Sequence, residues 1–437
     1  MWTLFKFVNL MYLLLSSFIW FSFGLPRNYI SIFASMVMIV CFAVGNFPAK
    51  ITSRAIGVAL ATVIYSLYCT FIIDVNYGII TFTSFIPAVL LFTLDKDPQE
   101  DLLEYVTKWF SIVMMVSLFF FFVHMVVDLP HFPWLPNEIS GSYDSFDNYY
   151  FFLKTNMYLS ENAGVYRFGG PFLEPGHQSM ICCLLLFANR FRMRRQPLMW
   201  ILLVSILLSF SLAGYLTLAI GWAFISIRNI YSMLGVVTVL AGSWLFVGVI
   251  WNDGDNPVNK LIFERLEYDE QKGIKGNNRT LRHTDHFYKE CMKDGTAVLG
   301  VRTQKADALK IRGAGYKIFI LKYGIIGTVL VGLLYLIMIP GGVNRRYAVS
   351  FFVLMALIFM QRAYPSWYSW LLPYVLGLGI MRHSSLYASH DDEEDENEDE
   401  DVEAKGQESL PEEEDSSIHA SNDSHELLSL PDESRQR

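Results

Sequence analysis

Long apolar runs, each about the length of a membrane span, constrain this chain more than any other feature of its sequence. A helix needs about 20 predominantly apolar residues to cross the hydrocarbon core of a bilayer. Such runs lie near residues 8–24, 28–45, 55–74, 76–94, 105–128, 231–251, 318–339, 347–361 and 364–381. They argue against a water-soluble globular protein and predict an all-α, polytopic membrane protein.

Two further stretches bring the predicted number of transmembrane helices to about twelve. Residues 178–190 form a shorter apolar run. Residues 197–228 form a stretch that is too long for one ordinary span. The small residues between Ser211 and Tyr215 offer a break in its middle. We therefore predict two short spans within 197–228.

The Lys and Arg residues of the short loops predict which side of the membrane each loop faces. Cytoplasmic loops carry an excess of these residues. With twelve spans and a cytoplasmic N-terminus, short outer loops contain only Arg27 and Arg362. The cytoplasmic side then holds Lys6, Lys50, Arg54, Lys96, Arg190, Arg192, Arg194, Arg195, Arg228, Arg345, Arg346 and Arg382. A single span over 197–228 would move the last four of these outside, so the rule favours twelve.

This topology divides the chain into membrane segments, outer loops and a tail. The two long hydrophilic loops both lie on the outer face, and both chain termini are cytoplasmic. The predicted segments are 1–128 (spans 1 to 5), 129–177 (first outer loop), 178–251 (spans 6 to 9), 252–317 (second outer loop), 318–383 (spans 10 to 12) and 384–437 (tail).

Charge separates the tail from the rest of the chain. Residues 391–437 carry 20 acidic and 3 basic side chains, whereas residues 1–390 carry 22 acidic and 31 basic ones. A segment with so much charge and so few aromatic residues cannot bury enough apolar surface to fold. We predict a disordered acidic cytoplasmic tail. Solubilisation of the chain and docking of a basic partner both remain open as its role.

The sequence contains no clear signature of a cofactor, a metal or a nucleic-acid partner. The chain has 5 cysteines, an odd number, and four of them fall in apolar runs, which indicates neither a disulfide framework nor a CxxC metal motif. Two acidic pairs have the spacing of a DxD metal motif, Asp95 with Asp97 and Asp253 with Asp255. The second pair contains Asp-Gly, which is common in turns. We predict no metal and no cofactor.

The end of the first outer loop concentrates charged residues among glycines and prolines. Arg167, Glu174 and His177 lie in the segment YRFGGPFLEPGHQSM. Glycine permits unusual backbone angles and proline fixes φ, so such a segment can hold charged side chains in one geometry. Alternatively, Arg167 reaches toward lipid phosphates at the membrane surface. Sugar stacking and interfacial anchoring are both open for the loop's aromatic residues Tyr143, Phe146, Tyr149 and Tyr150.

The second outer loop contains basic residues at helical spacing. Arg279, Arg282, His286 and Lys289 recur every three to four residues and would share one face of a helix. Such a face could clamp a diphosphate, because guanidinium groups bind phosphate oxygens in pairs. An amphipathic helix that rests on anionic lipid fits the same pattern.

Three features together resemble the bacterial O-antigen polymerase and O-antigen ligase superfamily, over roughly residues 100–380. The segment from Arg167 to Pro175 resembles the family's Arg, Gly, Phe and Glu-Pro segment. The break at Ser211 lies where the family has a Thr-x-Ser-Arg-Gly segment, although Leu212 replaces the Arg. The spacing from Arg282 to Gly300 is similar to that of the family's loop Arg and Leu-x-Gly-x-Gly element, with Arg302 in place of the second Gly.

The resemblance favours a polymerase over a ligase. The ligase signature pairs a His with a later Gly-x-x-Gly. Gly324 and Gly327 match its second half, but Gly313 and Ala314 occupy the places of the His and its neighbour. A polymerase of this family has a GT-C-like fold and joins oligosaccharide repeat units that are carried on undecaprenyl diphosphate. It acts at the outer face of the bacterial inner membrane and makes O-antigen, capsule or exopolysaccharide.

The resemblance also suggests roles for individual residues. Arg167 and Arg282 would stabilise the departing diphosphate, and Glu174 or His286 would accept the proton of the attacking hydroxyl. The residues expected to assist substrate binding are Arg279, Arg302, Arg312 and His177. Expected partners are lipid-diphosphate-linked oligosaccharides, membrane lipids, a chain-length regulator and a flippase, without nucleic acid.

Two other functions compete with the polymerase. A flippase or transporter would carry ionisable groups at mid-membrane, and His124, Lys322 and Asp74 are the few candidates. A membrane scaffold would recruit a partner through its acidic tail, and its outer-loop arginines would be dispensable.

Overall fold

The structure is a computed structural model. It describes residues 1–17, 25–130, 146–149, 151–155, 167–226, 282–302, 315–362 and 364–381, with single residues and short stretches between 231 and 274 and at 305 and 309. Within these residues the chain is mostly helical. The predicted acidic tail, more than half of the first outer loop and nearly half of the second outer loop lie outside the described residues.

Twelve α-helices are described. The first five are α1 (Trp2–Leu15), α2 (Arg27–Gly45), α3 (Ser53–Tyr68), α4 (Val75–Thr93) and α5 (Lys96–Val126). The next four are α6 (Pro175–Ala188), α7 (Met199–Leu208), α8 (Leu212–Ser226) and α9 (Arg282–Asp294). The last three are α10 (Tyr316–Ile337), α11 (Arg345–Gln361) and α12 (Tyr368–Ile380). Short π-helical turns cover Cys69–Ile73 and Phe246–Ile250, and 3₁₀ turns cover Trp251–Gly254 and Thr296–Val298.

Five of the described helical segments are long and apolar enough to cross a membrane. They are Asn28–Gly45, Ser53–Ile73, Val75–Thr93, Lys96–Val126 and Tyr316–Ile337. Two of them begin at a side chain that accepts backbone N–H groups, since Thr52 caps α3 and Asp74 caps α4, and Asn344 caps the shorter helix α11 in the same way. These helices support a membrane protein, and the count of twelve spans stays a prediction.

Two short helices lie at the centre of the helical assembly. Every residue of α6 and every residue of α12 is buried. A helix that is mostly apolar on all sides is expected to be buried, and α6 also buries the polar residues His177, Gln178 and Ser179. The two helices pack against each other. Gly377 of α12 lies so close to Ala188 that a Cβ atom on it would be 3.0 Å from that residue's Cα and Cβ. This contact fixes the C-terminal end of α6 against α12.

The stretch 197–228 contains two helices as predicted, and the break between them overlaps the predicted one only at Ser211. The interruption falls between Leu208 and Leu212, where Phe210 has a φ of 45°. Gly214 instead lies inside α8, where a Cβ atom would be 2.4 Å from Ser179 Oγ of α6. The small residue is thus explained by close packing of two helices, which membrane proteins achieve with Gly and Ser.

Two short antiparallel hairpins qualify the all-α prediction. Strands β1 (Phe146–Tyr149) and β2 (Phe152–Thr155) pair in the first loop, and β3 (Tyr268–Asp269) pairs with β4 (Gly273–Ile274) in the second. The first hairpin packs on the end of α5, because Ser117 Oγ donates a hydrogen bond to the Phe151 carbonyl at 2.7 Å. Tyr149 is buried, with its ring centroid 4.2 Å from that of His124. In this structure Tyr149 contributes to packing and is not exposed to a sugar.

The long helix α10 contains a break at Gly324, whose φ is 71°. The turn at Gly300 crosses it so closely that a Cβ atom on Gly324 would lie 2.4 Å from the carbonyl carbon of Leu299. The Val301 N–H donates to the Leu321 carbonyl at 2.6 Å. The glycines at 300 and 324 are required because both have positive φ and lie against backbone.

Candidate functional site

Glu174 occupies the position immediately before α6. Pro175 begins this helix with a φ that already suits it, and it has no N–H to leave unsatisfied. Glu174 has extended backbone, and its side chain is 15% exposed. Gly176 is the second residue of α6, and a Cβ atom on it would lie 3.2 Å from Arg362 Nη2 and 3.5 Å from Ser211 Oγ. Glycine at this position therefore lets an arginine and a serine approach the start of α6.

The Glu174 carboxylate forms an ion pair with Arg362, the residue that follows α11. The Arg362 side chain is 13% exposed. Taking two charges out of water is costly unless they are paired and further hydrogen bonded. The pair therefore holds both side chains in place between two helices that are distant in sequence.

His177 lies one turn into α6 beside this pair. Its Nε2 atom is 3.7 Å from Glu174 Oε2, and the residue is 2% exposed. Its ring packs edge-on against Trp367 with a centroid separation of 4.8 Å, and Trp367 stacks on Tyr364 at 4.4 Å. We define the Glu174 cluster as Glu174, His177, Arg362, Tyr364 and Trp367. It combines a carboxylate, an imidazole and a guanidinium with aromatic walls.

Arg167 is held at the break between α7 and α8. Its Nε donates a hydrogen bond to the Ser209 carbonyl at 3.0 Å, and its guanidinium interacts electrostatically with Tyr215. The neighbouring Phe168 N–H donates to the Leu208 carbonyl at 2.9 Å. Ser211 belongs to the same break and also lies beside Gly176. The break therefore links the surroundings of Arg167 to those of the Glu174 cluster.

The amphipathic helix α9 packs on the first turns of α10. Cys291 is buried with Ala297, Val301 and Leu321. Asp285 forms an ion pair with Lys317 and accepts from Lys289 at 3.1 Å. Hydrogen bonds from these two lysines lower the pKa of Asp285 below its usual value. The face of α9 that packs on α10 therefore contains apolar residues and the acidic residue Asp285.

The basic residues predicted from the second loop are only partly described. His286 is 76% exposed and pairs with Glu290 of the same helix at 3.3 Å, so it lacks the burial on which its candidacy as a base depends. Arg302 is exposed. Arg282 begins α9, but its side chain lies outside the described residues, as do Arg279 and Arg312.

Arg362 was missed as a site residue, although the sequence contained a signal. Arg362 and Arg27 were the only basic residues that the predicted topology left in short outer loops. An arginine that departs from the usual distribution needs a local reason, and the ion pair with Glu174 supplies one. The structure brings together Glu174 and His177 from the predicted set and adds Arg362 to them.

The described residues contain neither a metal-binding group nor a disulfide. There, no group of three or more His, Cys, Asp and Glu side chains is placed to hold a metal ion. All five cysteines are buried and unpaired. Comparison with models of known families, with curated proteins and with solved structures finds no match to this chain.

Proposed function

We propose that this chain is a membrane glycosyltransferase that polymerises lipid-diphosphate-linked oligosaccharide repeat units into a surface polysaccharide. The observation that carries the proposal is the Glu174 cluster, in which an ion pair and a buried histidine meet at the end of a central helix. This end of α6 faces the outer side in the predicted topology. Four arginines follow the other end of α6, at Arg190, Arg192, Arg194 and Arg195, as the positive-inside rule expects for a cytoplasmic loop.

The reaction exchanges one bond at an anomeric carbon for another. A sugar hydroxyl of the acceptor attacks the anomeric carbon of the donor, the bond to the carrier diphosphate breaks, and the diphosphate leaves with both bonding electrons. Negative charge develops on the leaving group, so fixed cationic donors favour the transition state. The hydroxyl loses its proton to a base.

The Glu174 cluster supplies both requirements in this proposal. In the free protein the Glu174 carboxylate occupies one side of the Arg362 guanidinium. Diphosphate oxygens bind guanidinium in the same way as a carboxylate. When they replace Glu174 on Arg362, the freed carboxylate accepts the hydroxyl proton. Arg167, at the adjoining break, provides a second cation for the leaving group.

His177 and the aromatic residues have supporting roles. His177 lies 3.7 Å from Glu174 and is confined by Trp367, so it positions the carboxylate. Tyr364 and Trp367 form a stacked pair, and such aromatic surfaces can face the apolar side of a sugar ring. In the predicted topology, substrate approaches the cluster from the outer side of the membrane.

Complementation in the organism that encodes this chain tests the proposal. Its gene is deleted and replaced with wild type, Glu174→Gln, Arg167→Gln or Arg362→Gln. The expected result is loss of long-chain polysaccharide and accumulation of single repeat units on the outer leaflet. Loss of either arginine should reduce the rate of polymerisation by about 100-fold or more, which corresponds to about 3 kcal/mol of transition-state stabilisation.

A matched control removes an arginine from the end of α11 opposite to Arg362. Arg345 begins α11 and is exposed, so Arg345→Gln should restore normal polymer. Protein levels in the membrane are compared by immunoblot for all variants. Repeat units trapped on the inner leaflet would indicate a flippase, and polymer that stays on its lipid carrier would indicate a ligase. Normal polymer from all three cluster variants would reject the proposed site.

A further inference from the structure

A cavity of about 110 Å³ lies among the ends of several helices, beside the Glu174 cluster. Side chains from α1, α2, α4 and α10 line it, together with the segment that leads into α12. Tyr364 and Trp367 form part of its wall, and Trp367 also contacts His177. At about 30 Å³ per water, this space accommodates a phosphate-sized group.

Lys322 is the one charged residue among the described residues that line the cavity. It lies inside α10, a helix long and apolar enough to cross a membrane. Its ammonium donates a hydrogen bond to the Tyr77 hydroxyl and lies 4.0 Å from the centroid of the Tyr77 ring. Neither contact supplies a negative charge. An ionisable residue in such a helix is costly to bury and marks a functional site more often than a structural one.

The backbone on both sides of Lys322 is fixed. The Leu321 carbonyl accepts the Val301 N–H at 2.6 Å, and the Tyr323 carbonyl accepts the Tyr68 hydroxyl at 2.7 Å. The break at Gly324 follows directly. Such support holds a binding side chain in one geometry. The lysine position is therefore determined by the fold and not by its contact with Tyr77 alone.

Hydroxyl groups complete the polar surface of the cavity. Ser84 accepts a hydrogen bond from the Tyr12 hydroxyl at 2.9 Å, and Ser31 accepts one from Thr83 at 2.7 Å. Ser31 already donates its own proton to the Asn28 carbonyl at 3.0 Å, whereas the proton of Ser84 is used by no hydrogen bond among the described residues. The ammonium has three donors, and its described hydrogen bond to Tyr77 uses one. The cavity thus offers a positive charge and several donors to an acceptor that is not part of its wall.

We propose that this cavity is a binding site for a phosphate group, with Lys322 as its cationic ligand. A phosphate matches the positive charge, the surplus of donors and the volume. The group comes either from the headgroup of an anionic lipid or from free phosphate, and both present the same oxygens. The site is distinct from Glu174 and Arg362, and it does not depend on the reaction assigned to them.

Binding to the purified full chain tests this site with two probes. Inorganic phosphate is titrated into protein in neutral detergent, and lipid nanodiscs of phosphatidylcholine are compared with nanodiscs that also contain phosphatidic acid. Affinity and thermal stabilisation are measured. Response to inorganic phosphate identifies free phosphate as a ligand, whereas response to phosphatidic acid alone identifies a lipid headgroup.

Three variants separate the site from general charge effects. Lys322→Gln should weaken binding by about tenfold or more, because a hydrogen bond to a charged group is lost, and Lys322→Arg should retain binding. Lys317→Gln removes the same charge from the same helix outside the cavity and should bind as wild type does. The proposal is overturned if wild type responds to neither probe, or if Lys322→Gln binds as tightly as wild type.

Discussion

The Glu174 carboxylate and the Arg362 guanidinium form an ion pair between the residue that precedes α6 and the residue that follows α11. The two residues are 188 positions apart in the sequence. The pair joins the ends of two helices and places a buried histidine beside the carboxylate. This contact organises the candidate site, and the first prediction addresses its energy.

Removing either member of this pair should destabilise the protein more than removing both. A single Glu174→Gln or Arg362→Gln change leaves a charge with little access to water. We expect each to cost about 3 kcal/mol, near the low end for buried pairs. The double variant should recover part of this loss. Thermal unfolding in detergent measures the stability of wild type, both single variants and the double variant, which gives the coupling energy between the two side chains. The more exposed pair of Asp285 and Lys317 provides a reference, with an expected coupling energy below about 1 kcal/mol. Additive effects at Glu174 and Arg362 would contradict the account.

Two glycines of α10 should respond differently to the same substitution. Gly324→Ala places a Cβ atom 2.4 Å from the Leu299 carbonyl carbon at a φ of 71°. It should cost several kcal/mol or prevent accumulation in the membrane, because backbone must move. Gly332→Ala meets nothing within 4 Å and should be neutral or stabilising by up to about 1 kcal/mol. Membrane yield and melting temperature distinguish these outcomes, and equal behaviour of the two variants would contradict the described crossing.

Acid should remove the contribution of Asp285 to stability. Lys317 and Lys289 lower the pKa of this carboxyl in the folded chain. Its contribution is therefore complete above the usual aspartate pKa of about 4 and is lost as the pH falls further. The melting-temperature difference between wild type and Asp285→Asn should be constant from neutral pH to about 5, then shrink at lower pH. A melting-temperature difference that grows as the pH falls would contradict this prediction.

The two ends of the helical assembly should face opposite sides of the membrane. Val127 at the end of α5 and Arg194 after α6 are both exposed. After the five buried cysteines are replaced, Val127→Cys should react with an impermeant thiol reagent in intact cells. Arg194→Cys should react only after the cells are opened, because arginine-rich loops stay in the cytoplasm. Labelling of both sites from the same side would contradict the predicted topology.

The helical character of the chain was accessible from sequence because a bilayer imposes a simple rule. Backbone groups in hydrocarbon must be satisfied within the segment, so long apolar runs become helices. The break predicted from Ser211 to Tyr215 shares only Ser211 with the interruption in the structure, which covers residues 209–211. Small residues serve both breaks and close helix packing, and Gly214 serves packing against Ser179. Sequence alone did not separate these two uses.

The candidate site was predicted in part for a related reason. Glu174 and His177 lie one turn apart, and their proximity follows from local spacing. Arg362 joins them through the packing of helices that are far apart in the chain, which no local pattern encodes. His286 has helical spacing to its neighbours, but spacing does not reveal which face of α9 meets solvent. Composition predicts helices here, whereas tertiary packing selects the residues of the site.

The most direct measurement is polymerisation by the purified chain in lipid vesicles, with lipid-diphosphate-linked repeat units from its own organism as the only substrate. The account predicts that wild type and Arg345→Gln convert single repeats into a ladder of longer products. Glu174→Gln and Arg362→Gln should leave single repeats while remaining folded. Absence of a ladder with active donor lipid, or an unchanged ladder in the two cluster variants, would contradict the central claim.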